Sequence, residues 1–93
     1  MENRVSVQAI VCGRVQGVFF RSFVEDHAQY LGLKGYVRNL PSGDVEVVVE
    51  GERERVEKLI GYLKAGPPAA RVQRTVTKWS EYSGKYTRFS VRY

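Results

Sequence analysis

Apolar and polar positions along the chain follow two periods. Val5, Val7, Ala9 and Val11 alternate with Ser6, Gln8, Ile10 and Cys12. One face is therefore apolar throughout and the other becomes so toward Cys12, the pattern of a central strand. From Phe20 the period lengthens: Phe20, Val24, Ala28 and Leu31 recur at helical spacing, with Phe23 and His27 beside them. Gly32 is well placed to stop that helix. Residues 33–40 predict a second strand and Pro41-Ser42-Gly43-Asp44 a tight turn, with proline fixing φ and glycine accepting φ > 0. Val45, Val47 and Val49 alternate with Glu46, Val48 and Glu50 in a third strand, completing a hairpin that Gly51 closes. Residues 52–65 predict the clearest helix, with Val56, Leu59, Ile60 and Leu63 at i, i+3, i+4 and i+7. Glu52 and Glu54 suit its N-terminus, and Gly66-Pro67-Pro68 ends it.

Residues 71–79 predict a fourth strand of ambiguous phase. Val72 and Val76 share one face, while Thr75, Thr77 and Trp79 share the other; a bulge or an edge position accounts for this. Residues 80–85 read as a polar loop, and 86–93 as a last short strand with Phe89, Val91 and Tyr93 on one side. A short polar tail, residues 1–4, precedes the first strand. The order βαββαβ plus a short C-terminal strand predicts an α+β protein, a ferredoxin-like α/β sandwich with an antiparallel sheet and two helices on one face. In that topology strands one and three are central and strand two neighbours strand three. No linker or repeat interrupts the pattern, so residues 1–93 read as a single domain.

Composition removes several classes. At 43% hydrophobic residues the chain is not an extended disordered one. A lone cysteine, Cys12, allows neither an internal disulfide nor a metal-ligand spacing, and reads as a core or strand-end residue. No N-terminal segment resembles a signal peptide, and no run approaches the ~20 apolar residues of a membrane span. The expected protein is cytoplasmic, without a membrane partner. Fifteen Lys and Arg against ten Asp and Glu leave a net charge of +5, which favours anionic partners without naming one.

The candidate chemistry lies between the first strand and the first helix, in Gly13-Arg14-Val15-Gln16-Gly17-Val18-Phe19-Phe20-Arg21. Glycines let such a loop curl so that successive backbone N–H groups point inward, and the helix N-terminus adds partial positive charge. Arg21 falls in the first helical turn, where the macrodipole disfavours a cation, so its place there asks for a bound anion. An ordinary strand-to-helix turn with a surface arginine is the competing account. Asn39, near the end of the second strand, offers a donor and an acceptor that can orient a water; alternatively it caps its own turn beside Pro41 and Gly43. His27 lies about two helical turns from the loop and reads as a helix-flank residue.

The nine residues from Gly13 to Arg21 resemble the first signature of the acylphosphatases, Gly-x-Val-Gln-Gly-Val-x-(Phe/Tyr)-Arg, at every fixed position. Gly35-Tyr36-Val37-Arg38-Asn39, followed by Gly43, Val45 and Gly51, is similar to the second signature, and Phe89-Ser90-Val91-Arg92-Tyr93 to the family's ending. The resemblance covers roughly residues 5–93. It implies hydrolysis of the carboxyl-phosphate bond of acyl phosphates to carboxylate and inorganic phosphate. By that resemblance Arg21 and Asn39 are catalytic, and the backbone amides of Val15, Gln16, Gly17, Val18, Phe19 and Phe20 bind the phosphoryl group. Asn39 orients the attacking water, and no metal, cofactor or covalent intermediate is implied. The chain lacks a P-loop, a carboxylate cluster for Mg²⁺ and a Cys-x₅-Arg phosphatase loop, since the sixth residue after Cys12 is Val18. The expected partners are a small-molecule acyl phosphate and its phosphate product, with the protein a monomer that binds no nucleic acid.

Two rival readings accompany this one. A ferredoxin-like RNA-binding module would suit the basic charge, the six tyrosines and the four phenylalanines. Lys34-Gly35-Tyr36 echoes the start of an RNP1 motif, but Val37-Arg38-Asn39 replaces the small and aromatic residues a stacking platform needs. The other is a non-catalytic or carbamoyl-phosphate-directed relative of the kind fused to larger maturation enzymes, against which the bare length weighs.

Overall fold

The two periods fold into seven elements. A computed structural model describes residues 3–93, which leaves Met1 and Glu2 of the expected polar tail outside the described residues. The elements are β1 (Arg4–Arg14), α1 (Phe20–Tyr30), β2 (Lys34–Asn39), β3 (Val45–Glu52), α2 (Arg53–Ala65), β4 (Arg71–Glu81) and β5 (Phe89–Arg92). Strand order across the sheet is β4-β1-β3-β2-β5, so β1 and β3 are central, as their valine content predicts.

Register decides which face is apolar. Val7 faces Val49, Ala9 faces Val47 and Val11 faces Val45, while Val37 of β2 also faces Val47. Onto this side the helices lay Phe20, Val24 and Ala28 from α1 and Val56, Leu59, Ile60 and Leu63 from α2. All are buried, and each larger aliphatic or aromatic side chain contributes about 1.5–3 kcal/mol by leaving water. Val15 and Val18 of the glycine loop belong to the same core, so the loop is anchored at two points.

Three features refine the expectation. β1 to β4 pair antiparallel, but β5 joins β2 in parallel, making the sheet mixed. A chain that reverses after β4 runs in the direction of β2, so it can add to the free edge of β2 only in parallel. The phase of β4 has both suggested causes. β4 is an edge strand, and its register slips where Cys12 faces Arg74 but Gly13 faces Val72, leaving Gln73 extra. That bulge turns Val72 to the side of Thr75 and Thr77 and leaves Val76 on the open face. It also needs glycine, because a Cβ on Gly13 would overlap the Arg71 carbonyl. Finally, β4 runs on to Glu81, and β5 starts only at Phe89.

The open face of the sheet is polar and satisfied. Glu46, buried there, accepts from Gln8 at 2.7 Å, Arg38 at 2.6 Å and Tyr36 at 3.3 Å. Glu50 accepts from the Ser83 hydroxyl at 2.6 Å and from the N–H groups of Ser83 at 2.9 Å and Gly84 at 3.0 Å. Burial pushes both carboxyls up, but these donors outweigh it and hold them below the ordinary glutamate value.

Candidate active site

The loop between β1 and α1 is held from two sides. Val15 and Val18 sink into the core, and the Gln16 carboxamide donates to the carbonyl oxygens of Leu40 at 2.8 Å and Asp44 at 3.0 Å. Gln16 thereby ties the loop to the turn that follows Asn39. Gly17, at the exposed bend, has φ 70° and open space where a Cβ would stand. Its value here is the left-handed backbone that glycine adopts without strain.

Phe19 is the N-cap of α1, with φ 63° and ψ 25°, a left-handed conformation rarely taken by a bulky residue. Such a residue stores about 1–3 kcal/mol of strain. No side chain caps the helix, and its first turn carries no acidic residue. The hydroxyl of Ser22 instead donates back to the Phe19 carbonyl oxygen at 3.0 Å, and Phe23 N–H donates to the same oxygen at 3.1 Å. The first N–H groups of α1 are thus left for a ligand or water, at the end of the helix where the macrodipole is positive.

Arg21 and Asn39 line one cleft of about 340 Å³ with Val15, Gly17, Phe19 and Phe20. Among the described residues no carboxylate pairs with Arg21; its guanidinium lies 4.7 Å from the centre of the Tyr93 ring. Asn39 ends β2, and its Oδ1 is buried without a hydrogen-bond partner. An orphaned acceptor of this kind costs about 1–3 kcal/mol unless something donates to it.

The expected residues therefore separate into two groups. Val15, Gly17, Phe19, Phe20, Arg21 and Asn39 share the cleft, whereas the side chains of Gln16 and Val18 turn to the β2–β3 turn and to the core. His27 stacks on Tyr62 at 3.9 Å and meets the edge of Phe23 at 4.5 Å, away from the cleft. Arg38 is paired to Glu46 on the open face. Sequence reasoning missed the cleft positions of Ser22, Glu25, Val91 and Tyr93. Glu25 sits four residues after Arg21, which spacing alone places on one helix face, but nothing local signals that β5 ends beside the loop. Among the described residues no three His, Cys, Asp or Glu gather where a metal could sit.

Comparison with known proteins converges on one family. The acylphosphatase family model matches residues 7–91. An acylphosphatase of Caldivirga maquilingensis is 53% identical over 94 residues, covering 100% of this chain and 99% of that protein. The crystal structure of the acylphosphatase from Bacillus subtilis superposes with a TM-score of 0.92 at 35% identity, covering 96% of this chain and 99% of the other. Full-length HypF, crystallised in a phosphate- and nucleotide-bound form, matches with a TM-score of 0.89 at 33% identity; it covers 99% of this chain but only 12% of its own.

Proposed function

The chain belongs to the acylphosphatase family, and from that premise we propose how its residues divide the hydrolysis of an acyl phosphate. The reading is carried by one convergence. Among the described residues, the start of a helix without a side-chain cap, an arginine without a carboxylate partner and an asparagine with an orphaned carboxamide oxygen line the same cleft.

The phosphoryl group sits in the curl of residues 15–20, against the backbone N–H groups, with the Arg21 guanidinium forked onto two of its oxygens. Asn39 Oδ1 accepts a hydrogen bond from a water and turns its lone pair toward phosphorus. As the water oxygen bonds to phosphorus, the bond from phosphorus to the acyl oxygen breaks and its electron pair leaves with the carboxylate. A carboxylic acid has a pKa of about 4–5, so the departing oxygen needs no proton at neutral pH. The water's proton passes to a phosphoryl oxygen of the substrate itself. Catalysis is then positioning and charge stabilisation on a loose transition state, with no residue forming a covalent bond.

The RNA-binding alternative fits the open sheet face poorly. Tyr36 there lies under Arg92, Arg38 is taken up by Glu46, and the buried charges of Glu46 and Glu50 repel a phosphate backbone. We assign no nucleic-acid partner and no membrane partner; no helix among the described residues is long and apolar enough to cross a bilayer. A monomer suits the edge strand β4, where exposed Arg71, Arg74 and Lys78 oppose pairing with another strand. Cytoplasmic residence suits the free thiol of Cys12.

Phosphate release from acetyl phosphate, measured beside a titration with single-stranded RNA, tests the assignment. Release without RNA binding is expected. RNA binding without release would overturn it.

A further inference from the structure

We propose that Arg14, Arg71 and Arg74 form an anion site outside the cleft, which takes a phosphate-type oxyanion on the open face of the sheet. The bulge between β1 and β4 builds it. Residues 71 and 74 are three apart, so in an unbroken strand their side chains would leave opposite faces. Gln73 is the extra residue and reverses that phase: Arg74 faces Cys12, and Arg71 faces Arg14. Cys12 and Arg14 are two apart on β1 and share a face, so all three arginines stand on one side. That side is the open one, because Val72 packs against the core.

This arrangement does not serve the sheet's own stability. Like charges directly opposite on neighbouring strands repel, and Arg14 and Arg71 are such a pair. Other arginines are matched. Arg38, Arg53 and Arg55 each meet a glutamate, and Arg4, Arg21 and Arg92 each lie against a tyrosine ring. Among the described residues Arg14, Arg71 and Arg74 have neither kind of partner, and all three are exposed.

The spacing suits one ligand. Opposite residues have Cα atoms about 4.5–5.5 Å apart and diagonal ones about 7–8 Å, within reach of long side chains. Three guanidinium groups can therefore close on one tetrahedral oxyanion, each offering a fork of N–H donors. Gly13 keeps the strands at this approach, since a Cβ there would overlap the Arg71 carbonyl oxygen and crowd the Gln73 nitrogen. Glu46 and Glu50, which keep anions from the middle of this face, stand further along β1, level with Ile10 and Ser6. None of the three arginines lines the cleft, although Arg14 adjoins Val15, which does.

Titration of the unaltered protein with sodium sulfate, followed by amide NMR at constant ionic strength, tests the site independently of turnover. The Gly13, Arg14 and Val72 signals are expected to move and saturate, as those of the 15–20 loop should. Arg71→Gln and Arg74→Gln lie on an exposed edge, so both proteins should fold. Each should weaken binding at the corner about tenfold, the loss of roughly one charge-assisted pair. The loop titration should stay within about twofold of wild type. Corner signals that drift without saturating would reduce the cluster to charge screening and overturn the proposal. Corner and loop signals titrating together in all three proteins would also overturn it, because sulfate would then have one site, in the cleft. A corner that titrates as expected beside a loop that does not move would uphold this site and count against the phosphate cradle.

Discussion

The carboxamide of Gln16 donates to the carbonyl oxygen of Leu40 at 2.8 Å, across 24 residues of sequence and one position beyond Asn39. This bond, with a second to the Asp44 carbonyl, ties the loop proposed to hold phosphate to the turn that follows the residue proposed to hold water. Gln16→Ala is expected to loosen that alignment. The Leu40 and Asp44 carbonyls keep backbone donors from Gly43 and Leu40, so the loss of stability should be modest, about 1–2 kcal/mol. The fall in kcat/KM should be larger in proportion, on the order of tenfold to a hundredfold. Urea denaturation and steady-state kinetics on the same preparation check both parts.

Arg21 and Asn39 should fail differently. Arg21 is expected to hold the phosphoryl group before and during reaction, so Arg21→Gln should weaken inhibition by inorganic phosphate as well as turnover. Asn39 is expected to touch only the water, so Asn39→Ala should leave phosphate inhibition nearly unchanged while kcat falls; the fall in turnover should be on the order of 10²–10³-fold for either variant. Stability separates them too. Because Asn39 Oδ1 has no hydrogen-bond partner in the protein, its removal should leave the melting temperature nearly unchanged. A folded Asn39→Ala protein turning over like wild type would make Asn39 a turn residue.

The pH dependence of stability should come from the open face. Glu50 is held below the ordinary glutamate pKa of about 4.3 by the donors of Ser83 and Gly84, which overcome its burial. Its contribution is therefore complete above the unfolded value and is lost as pH falls through the folded one. Denaturation midpoints should be flat from pH 7 to 5 and decline below about 4.5. Glu50→Gln should lower stability at neutral pH by about 2–4 kcal/mol and flatten that decline.

Metal removal should do nothing. No step proposed here is routed through a cation, so activity after dialysis against a strong chelator should match the untreated protein. A large loss restored by Mg²⁺ or Zn²⁺ would contradict the division of labour between Arg21 and Asn39.

Much of the architecture was legible because it rests on periodicity. The valines of β1 and β3 and the i, i+3, i+4 series of α2 bury what their spacing marks for burial. The phase of β4 was not, since the displaced residue, Gln73, is defined only by what Cys12 and Gly13 do on the neighbouring strand. The parallel pairing of β5 was hidden for the same reason: direction depends on which edge is free. At the site, glycine spacing and the early arginine pointed to the loop, and the resemblance to a known family favoured the water-orienting over the turn-capping reading of Asn39. The Gln16 tie and the place of Tyr93 were invisible because their significance lies in partners far away in sequence.

The place of β1 in the sheet also bears on how the protein is made. The strand that carries the glycine loop is made before the other described elements, yet it is central and needs partners on both sides. β3 follows some forty residues later and β4 some seventy, and the wall at Val91 later still. At about 5–20 residues per second, β1 waits for seconds with an unpaired edge before its second neighbour exists. Its exposed valines in that interval are a surface for chaperones or for misassociation. The glycine loop at its end is tied through Gln16 to the turn beyond Asn39, so that tie can form only after β2 and the turn have been made.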